Sequence, residues 1–284
     1  MDLLKRVSRS FYLSVRLLPA PMRRGVCTGY LLARASDTLA DAHDDPALLD
    51  GFEAWLGGGT PLPLPDPLPG DAGERKLLAS LPEVFGMLEA LREAEAALVR
   101  DVVATIISGQ RLDLERFAGA DAEHVASLAD AAELYDYTWR VAGSVGRFWT
   151  RLGFLTLGGQ FSRMEPGKLE ALGIGFGQGL QLVNILRDTR EDLAHGRDYL
   201  PGDRRAWMHK ARENLASGLA YAKAMRLMRL HVAAALPARI GLDTLDAIEA
   251  AGPEVLRRRV KIPRRRVWRH LAGAWKSSLS RGGG

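Results

Sequence analysis

Apolar residues recur every three or four positions along almost the whole of this 284-residue chain, which is the spacing of one face of an α-helix. Alternating apolar and polar residues between turn signals, which indicate half-buried strands, are scarce. The pattern therefore predicts an all-α fold. Its main interruption is the proline- and glycine-rich stretch 57–73, which cannot continue a helix and is predicted to be a loop.

Shorter breaks between helices are predicted where turn residues gather, near residues 19–21, 117–121, 165–167, 201–203 and 237–241. The chain shows no internal repeat and no linker that would separate two domains. Its length is enough to bury one large core. Residues 1–284 are therefore interpreted as one domain, a single helical bundle, with a basic C-terminal tail from about residue 257.

A polar stripe follows the predicted helix that contains VCTGYLLARASDTLADA. Its members lie three or four residues apart and so share one helix face: Cys27, Tyr30, Arg34, Asp37 and Asp41. Residues that favour burial border this stripe on both sides, among them Val26, Leu31, Leu32 and Leu39. This arrangement is unusual for an ordinary amphipathic surface helix.

A second stretch, GLQLVNILRDTREDLAHGRDYLP, repeats the arrangement with Gln181, Asn184, Asp188 and Asp192. Like charges at i and i+4 cost roughly a few tenths of a kcal/mol on an exposed helix and more when partly buried. Arg34 and Arg187 can compensate part of this charge. A hard cation such as Mg²⁺, which takes one or two carboxylates together with water and phosphate oxygens, fits the pattern better.

Two such helices facing each other would hold magnesium ions between them, and those ions would hold a diphosphate. The alternative interpretation is that each aspartate pair lies on a solvated helix face, with intrahelical ion pairs such as Asp37 with Arg34.

The segment before the second aspartate pair carries Gly173, Gly175, Gly177 and Gly179. Each glycine inside a helix costs roughly 1 kcal/mol relative to alanine. Close approach of this helix to another helix or to a bulky ligand would explain them. A dinucleotide-binding loop is excluded, because GIGFGQG does not match GxGxxG and no strand precedes it.

These segments resemble the squalene and phytoene synthase family, the head-to-head branch of the trans-prenyl transferases. The resemblance covers most of the chain, and the segments that carry it are SRSF (8–11), Tyr30 with Arg34, DTLAD (37–41), SGQRLDL with Asp113, YTWRVAGSVG (137–146), QLVNILRDTRED (181–192) and GRDYLP. It implies an isoprenoid synthase fold around a central cavity, with two aspartate-rich helices facing each other across it.

The resemblance also implies roles for individual residues. The implied metal ligands are Asp37, Asp41, Asn184, Asp188 and Asp192. The implied substrate-binding residues are Ser8, Arg9, Ser10, Phe11, Tyr30, Arg34, Gln181, Asn184 and Arg187. The implied catalytic residues are the four aspartates and Tyr137, which would act in the first half-reaction. Without the resemblance, Ser8 could equally be a helix N-cap, and Tyr137 a core aromatic with a satisfied hydroxyl.

The chemistry that the resemblance implies joins two prenyl diphosphates. With two farnesyl diphosphates it gives the cyclopropyl intermediate presqualene diphosphate, and hydride from NADPH then gives squalene. DTLAD favours squalene, because squalene synthases often show DTxxD where carotenoid-type members usually show DDxxD. The chain has no compact NADPH-binding motif. Presqualene diphosphate, dehydrosqualene or phytoene therefore stay open as end products.

Positive charge gathers at the end of the chain, in LRRRVKIPRRRVWRH, residues 256–270. Apolar and basic residues interleave from Trp268 to Arg281, which predicts a basic amphipathic end able to contact a membrane surface. The sequence shows no signal peptide and no membrane span, and its one cysteine cannot form an internal disulfide. We therefore expect a cytoplasmic protein, with peripheral membrane contact and no nucleic-acid partner.

A hypothesis of a different class is a non-catalytic helical protein whose basic tail binds acidic lipid or nucleic acid. It gives no use to the apolar-flanked acidic stripes.

Overall fold

The structure is a computed structural model that describes residues 2–8, 11–43 and 46–252. Helices make up almost all of its regular structure, so the all-α prediction is confirmed. The helices are α1 (Asp2–Val7), α2 (Phe11–Leu17), α3 (Ala20–His43), α4 (Pro46–Leu56), α5 (Ala72–Ala79), α6 (Leu81–Glu89), α7 (Glu93–Arg116), α8 (Ala131–Thr138), α9 (Ser144–Leu157), α10 (Pro166–Ala194), α11 (Arg204–Ala224) and α12 (Met228–Ala251).

Three short elements complete the regular structure. A five-residue π-helix, Trp139–Gly143, joins α8 to α9, and a 3₁₀ turn, Gly158–Gln160, follows α9. Strands β1 (Ala126–Ser127) and β2 (Arg197–Asp198) form a parallel pair in which Ala126 lies opposite Arg197. This pair fixes the segment after α10 against the segment before α8.

The two acidic helices predicted from the sequence are α3 and α10. Both pack against α9, while α7 packs against α3 and against the π-helix, and α10 also packs against α11. One apolar cluster holds α3 to α4, α6, α7 and α9 through residues such as Leu32, Phe52 and Leu152. A second cluster surrounds the C-terminal half of α10. The polar faces of α3 and α10 remain directed toward the space between them.

The predicted loop at 57–73 is observed from Gly57 to Asp71, and α5 then begins at Ala72. Asp71 starts this helix because its carboxylate accepts the backbone N–H groups of Gly73 and Glu74, while the Glu74 carboxylate accepts the Asp71 N–H. The predicted breaks near residues 19, 117, 165 and 201 also lie at or beside helix ends.

The predicted break at 237–241 is wrong, because α12 continues through Pro237. Proline removes one helical hydrogen bond and usually ends or kinks a helix. Here Leu236 and Ala238 on either side of it are fully buried. Packing of this part of α12 against its neighbours therefore outweighs the local effect of the proline.

The basic tail predicted from about residue 257 lies outside the described residues. Among the helices of the described ranges, none is both long and apolar enough to cross a membrane.

Candidate active site

A polar cavity of about 510 Å³ lies between α3, α7 and α10. Its charged and hydrogen-bonding wall residues come from six places in the chain: Tyr30, Arg34, Asp37 and Asp41 of α3, Gln110 and Asp113 of α7, Tyr137 of α8, Gln181 and Asp192 of α10, Arg197 of β2, and Tyr199. Part of each acidic stripe therefore faces one cavity, as the resemblance implies, whereas Asn184 and Asp188 are not among the residues that line it.

On the α3 side, Arg34 connects the site to the first turn of α5. Its Nη1 atom donates to the Asp37 carboxylate at 2.6 Å, and its Nη2 atom donates to Glu74 of the capping box. Its Nε atom is buried and has no acceptor among the described residues. Burial and the Asp41 charge raise the pKa of Asp37 to about 6. Burial in the cavity wall likewise raises the pKa of Asp41.

Thr38, the residue that distinguishes DTLAD from DDxxD, is buried and is not among the cavity-lining residues. Its hydroxyl donates to the Arg34 carbonyl at 2.9 Å, and its methyl group lies beside Gly70. Thr38 therefore belongs to the packing behind the carboxylates rather than to the cavity surface.

On the α10 side, Gln181 and Asp192 line the cavity. Burial and, to a smaller extent, the charge of Asp188 raise the pKa of Asp192 to about 7. Asp188 itself accepts a hydrogen bond from the Nε atom of Arg187 at 2.8 Å. Asn184 is exposed and donates its amide to Gln181 at 3.3 Å.

The α7 side of the cavity carries a cluster of Asp113, Tyr199 and Tyr137, of which the sequence analysis assigned only Tyr137 to the site. The Tyr199 hydroxyl donates to the Oδ2 atom of Asp113. The Tyr199 ring stacks on Tyr137, with centroids 5.1 Å apart and an interplanar angle of 24°. Burial raises the pKa of Asp113 to about 6, and the nearby Tyr199 hydroxyl and Arg197 charge partly oppose this shift. Burial and the Asp113 charge raise the pKa of Tyr137 well above its usual value.

Arg197 is also absent from the residues selected from the sequence. Its positive charge partly opposes the rise in the pKa values of Asp41, Asp113 and Asp192, so Arg197 lies among carboxylates from three helices. The preceding Gly196 has a φ angle of +75°, and a Cβ atom there would lie 2.4 Å from the Asp121 backbone nitrogen. Only glycine permits this tight turn. The glycine of GRDYLP was therefore the sequence feature from which the fixed position of Arg197 could have been predicted.

A second, apolar cavity of about 210 Å³ adjoins the polar one. The two cavities share Phe11, Val141, Val145 and Gln181 as wall residues. The apolar cavity is also lined by Trp149, Phe176, Tyr221 and the alanines of α12. Tyr221 keeps its hydroxyl satisfied at 3.0 Å from that of Thr150. A long apolar chain can therefore extend from the polar cavity into an apolar space.

The glycines of α10 permit close helix packing, as expected. A Cβ atom on Gly173 would lie 2.8 Å from the Gly146 carbonyl oxygen, and one on Gly177 would lie 2.1 Å from that of Ala142. A Cβ atom on Gly179 would lie 2.7 Å from the Asn214 side chain. Gly175 differs, because its nearest contact would be Ser217 at 3.7 Å.

The N-terminal residues implied by the resemblance are only partly brought together. Phe11 stacks on Tyr30, with centroids 4.8 Å apart, and both line the polar cavity. Ser8 is buried, and its hydroxyl donates to the Leu4 carbonyl at 2.6 Å, so it ends α1 rather than capping the start of a helix. Ser8 lines neither cavity. Arg9 and Ser10 lie outside the described residues.

The residues present suit a magnesium ion that is coordinated by protein carboxylates and substrate phosphates together. Within the described ranges, no group of three or more His, Cys, Asp and Glu side chains is close enough to hold a metal ion unaided. Asp37, Asp41 and Asp192 are hard oxygen donors on opposite walls of one cavity. Mg²⁺ binds in this way, with few carboxylates and the rest of its shell from water and phosphates. The buried Nε donor of Arg34 suits the same anionic group.

Comparison with known proteins gives a consistent result. A family profile described as Squalene/phytoene synthase matches residues 4–205. The 15-cis-phytoene synthase of Synechocystis is 28% identical over 94% of this chain and 81% of its own length. The presqualene diphosphate synthase of Rhodopseudomonas palustris is 32% identical over 68% of this chain and 58% of its own length.

Two solved structures share the fold. TcSQS in complex with a ligand superposes with a TM-score of 0.80 at 22% identity, covering 95% of this chain and 83% of the other. The squalene synthase HpnC from Alicyclobacillus acidocaldarius gives a TM-score of 0.59 at 20% identity, covering 88% and 92%. These superpositions confirm the predicted isoprenoid synthase fold.

Proposed function

This chain belongs to the squalene/phytoene synthase family of head-to-head prenyl transferases, and we propose that it joins two molecules of farnesyl diphosphate, through presqualene diphosphate, to give squalene. The observation that carries the proposal is the meeting of carboxylates from α3 and α10 at one polar cavity, directly beside an apolar cavity. The polar cavity suits two diphosphate groups with their cations, and the apolar cavity suits a prenyl chain.

Departure of the first diphosphate needs positive charge near its oxygens. Magnesium bound by Asp37, Asp41, Asn184, Asp188 and Asp192 would supply part of this charge. Arg34 supplies more, because Glu74 and Asp37 hold its guanidinium at the cavity wall while its Nε donor is left without an acceptor among the described residues. Arg187 and Arg197 add further positive charge beside α10 and β2.

The allylic cation left behind needs an environment that stabilises charge but excludes water. Phe11 and Tyr30 stack at the junction of the two cavities, and the Phe11 ring also lies 6.2 Å from that of Trp149. Aromatic faces attract cations electrostatically, and apolar walls keep out the water that would quench the cation. The second prenyl diphosphate then attacks through its double bond.

The product assignment rests on the DTLAD motif, and the presqualene diphosphate synthase relative supports only its first half, the formation of presqualene diphosphate. Thr38 does not line the cavity. The DTLAD motif therefore favours squalene only through its resemblance to squalene synthases, and not through a contact of Thr38 with substrate. Phytoene from geranylgeranyl diphosphate is the second candidate, because the phytoene synthase of Synechocystis aligns with 94% of this chain. Hydride from NADPH is needed only for squalene.

Product identification tests the assignment. Purified full-length protein is incubated with Mg²⁺ and either farnesyl or geranylgeranyl diphosphate, each with and without NADPH. We expect squalene from farnesyl diphosphate with NADPH, and presqualene diphosphate or dehydrosqualene without it. Presqualene diphosphate under both conditions would show that the reductive step is absent. Phytoene from geranylgeranyl diphosphate, with farnesyl diphosphate left unused, would move the assignment to the second candidate.

Peripheral membrane contact through the basic amphipathic C-terminal end would give an apolar product a route into lipid. Sedimentation with vesicles of anionic and of neutral lipid tests this part of the proposal. Equal binding to both kinds of vesicle, or none to either, would contradict it.

A further inference from the structure

The Asp113 carboxylate is a buried acceptor that the steps above leave without a role. Its Oδ2 atom accepts the Tyr199 hydroxyl, and its Oδ1 atom is buried and has no hydrogen-bond partner among the described residues. Buried acceptors are normally paired, so an unpaired oxygen beside a reaction cavity calls for an explanation. Tyr137 lies next to it, stacked on the Tyr199 ring and in the wall of the same cavity.

We propose that Asp113 receives the proton lost when the cyclopropane ring closes, with Tyr137 passing that proton from the substrate carbon to the Oδ1 atom of Asp113. This inference rests on the proposed head-to-head condensation, but not on the length of the prenyl chain. Tyr199 has the separate role of fixing the carboxylate through Oδ2.

The bond changes in this half-reaction balance as follows. The C1–O bond of the first prenyl diphosphate breaks, and diphosphate leaves with the electron pair. The double bond of the second substrate attacks C1, forming a bond from C1 to C2 of that substrate and leaving positive charge on its C3. A C1–H bond then breaks, and its electrons form the bond from C1 to C3 that closes the ring.

The proton released in the last step moves to the Tyr137 oxygen while the hydroxyl proton of Tyr137 moves to Asp113. The tyrosine ends unchanged and the carboxylate becomes a neutral acid. A neutral tyrosine alone is a poor base, and burial makes its phenolate still less accessible. A carboxylate behind the hydroxyl removes the need to form that phenolate.

Asp113 is suited to this role better than the other cavity carboxylates. Asp37, Asp41 and Asp192 line the polar cavity, and the proposed function assigns them to the diphosphate and its cations. Asp113 is the carboxylate whose charge acts most strongly on the Tyr137 hydroxyl, and the effect of Asp37 is weaker. Its pKa, raised to about 6 by burial, makes it a stronger base than an exposed aspartate while it stays largely ionised at neutral pH. The Tyr199 hydrogen bond and the Arg197 charge preserve that ionised form.

The test is a single-turnover measurement with the prenyl diphosphate that the wild-type protein condenses, either unlabelled or deuterated at C1. The variants are Asp113→Asn, Tyr199→Phe and, as a control on the same helix, Asp101→Asn. Asp101 is half-exposed and pairs with Arg147 at 3.0 Å, away from the cavity. The rate of cyclopropyl diphosphate formation, its deuterium isotope effect and substrate affinity are measured together.

For Asp113→Asn we expect the rate to fall by about 100-fold or more, the isotope effect to rise above that of the wild type, and substrate affinity to change little. Asp113→Glu should recover part of the rate. Tyr199→Phe keeps the ring stacking, so we expect a smaller loss of about 10-fold, the size of one lost hydrogen bond. Asp101→Asn should match the wild type.

A lower rate with an unchanged isotope effect would overturn the inference, because Asp113 would then only position Tyr199. An unchanged rate would also overturn it, since the proton would then leave by another acceptor such as the released diphosphate. If Asp113→Asn does not fold, as judged by circular dichroism, Asp113→Ser is measured in its place. Failure of the proposed function is a separate result, namely a wild-type protein that condenses no prenyl diphosphate.

Discussion

Gly175 and Gly177 lie two residues apart on α10, yet their surroundings predict opposite effects of the same substitution to alanine. A Cβ atom on Gly177 would lie 2.1 Å from the carbonyl oxygen and 2.7 Å from the carbonyl carbon of Ala142. Both are backbone atoms of the π-helix, so no side-chain rotation relieves the overlap. A Cβ atom on Gly175 would meet only Ser217, at an ordinary contact distance of 3.7 Å.

The magnitudes follow from two opposing effects. Replacing a glycine inside a helix by alanine favours the helix by roughly 1 kcal/mol. Forcing an extra methyl group into a tightly packed contact costs about 1–3 kcal/mol, occasionally more. For Gly175→Ala the first effect acts alone, so the free energy of unfolding should rise by about 0.5–1 kcal/mol. For Gly177→Ala the backbone overlap places the cost at the upper end, and the net loss should be about 2 kcal/mol.

Urea unfolding followed by circular dichroism measures both variants against the wild type under identical conditions. Turnover gives a second readout, because displacement of α10 from the π-helix alters the cavity walls that Gln181 and Val141 form. We expect Gly175→Ala to keep wild-type turnover and Gly177→Ala to lower it. A Gly177→Ala protein as stable as the wild type, or equal destabilisation by both substitutions, would refute this account of the packing.

Two further predictions concern the cavity carboxylates. The raised pKa of Asp113, about 6 against 3.8 for an unperturbed group, means that its ionised form destabilises the fold by up to about 3 kcal/mol. This cost is absent below the unfolded pKa and complete above about pH 6. The midpoint temperature of thermal unfolding of Asp113→Asn should therefore exceed that of the wild type at about pH 8 but not at about pH 4. Equal differences in midpoint temperature at both pH values would contradict this. Metal binding requires ionised carboxylates, and the pKa values of Asp37 and Asp192 are about 6 and about 7. Calorimetry should therefore show that inorganic diphosphate with Mg²⁺ binds more tightly at about pH 8 than at about pH 5.5. Excess chelator should abolish this binding. An affinity that does not change with pH would count against these carboxylates as metal ligands.

Much of the helical framework and the two acidic walls could be predicted, because helical spacing alone decides which side chains share a face. Asp37, Asp41 and Gln181 are periodic in this way, and their neighbours are apolar. Pro237 in α12 led to a wrong prediction because tertiary packing decided the outcome there. Proline disfavours a continuous helix locally, but burial of Leu236 and Ala238 outweighs that effect.

The third wall of the site could not be predicted by periodicity. Asp113 and Tyr199 are 86 residues apart in the chain, and nothing in the spacing of either segment indicates their hydrogen bond. Arg197 lies in the two-residue strand β2, which is too short to leave a pattern. The resemblance did include SGQRLDL and GRDYLP, so the segments were identified although the contact between them was not.

The central claim is that carboxylates from α3 and α10 act at one head-to-head active site. The most direct test is turnover of farnesyl diphosphate with Mg²⁺ by the wild type, Asp37→Ala and Asp188→Ala, with helix content measured in parallel. We expect a coupled product from the wild type, and a loss of at least about 100-fold in each variant with the fold retained. Turnover kept by both variants would contradict the claim. No coupled product from the wild type would instead favour a non-catalytic helical protein that acts through its basic tail.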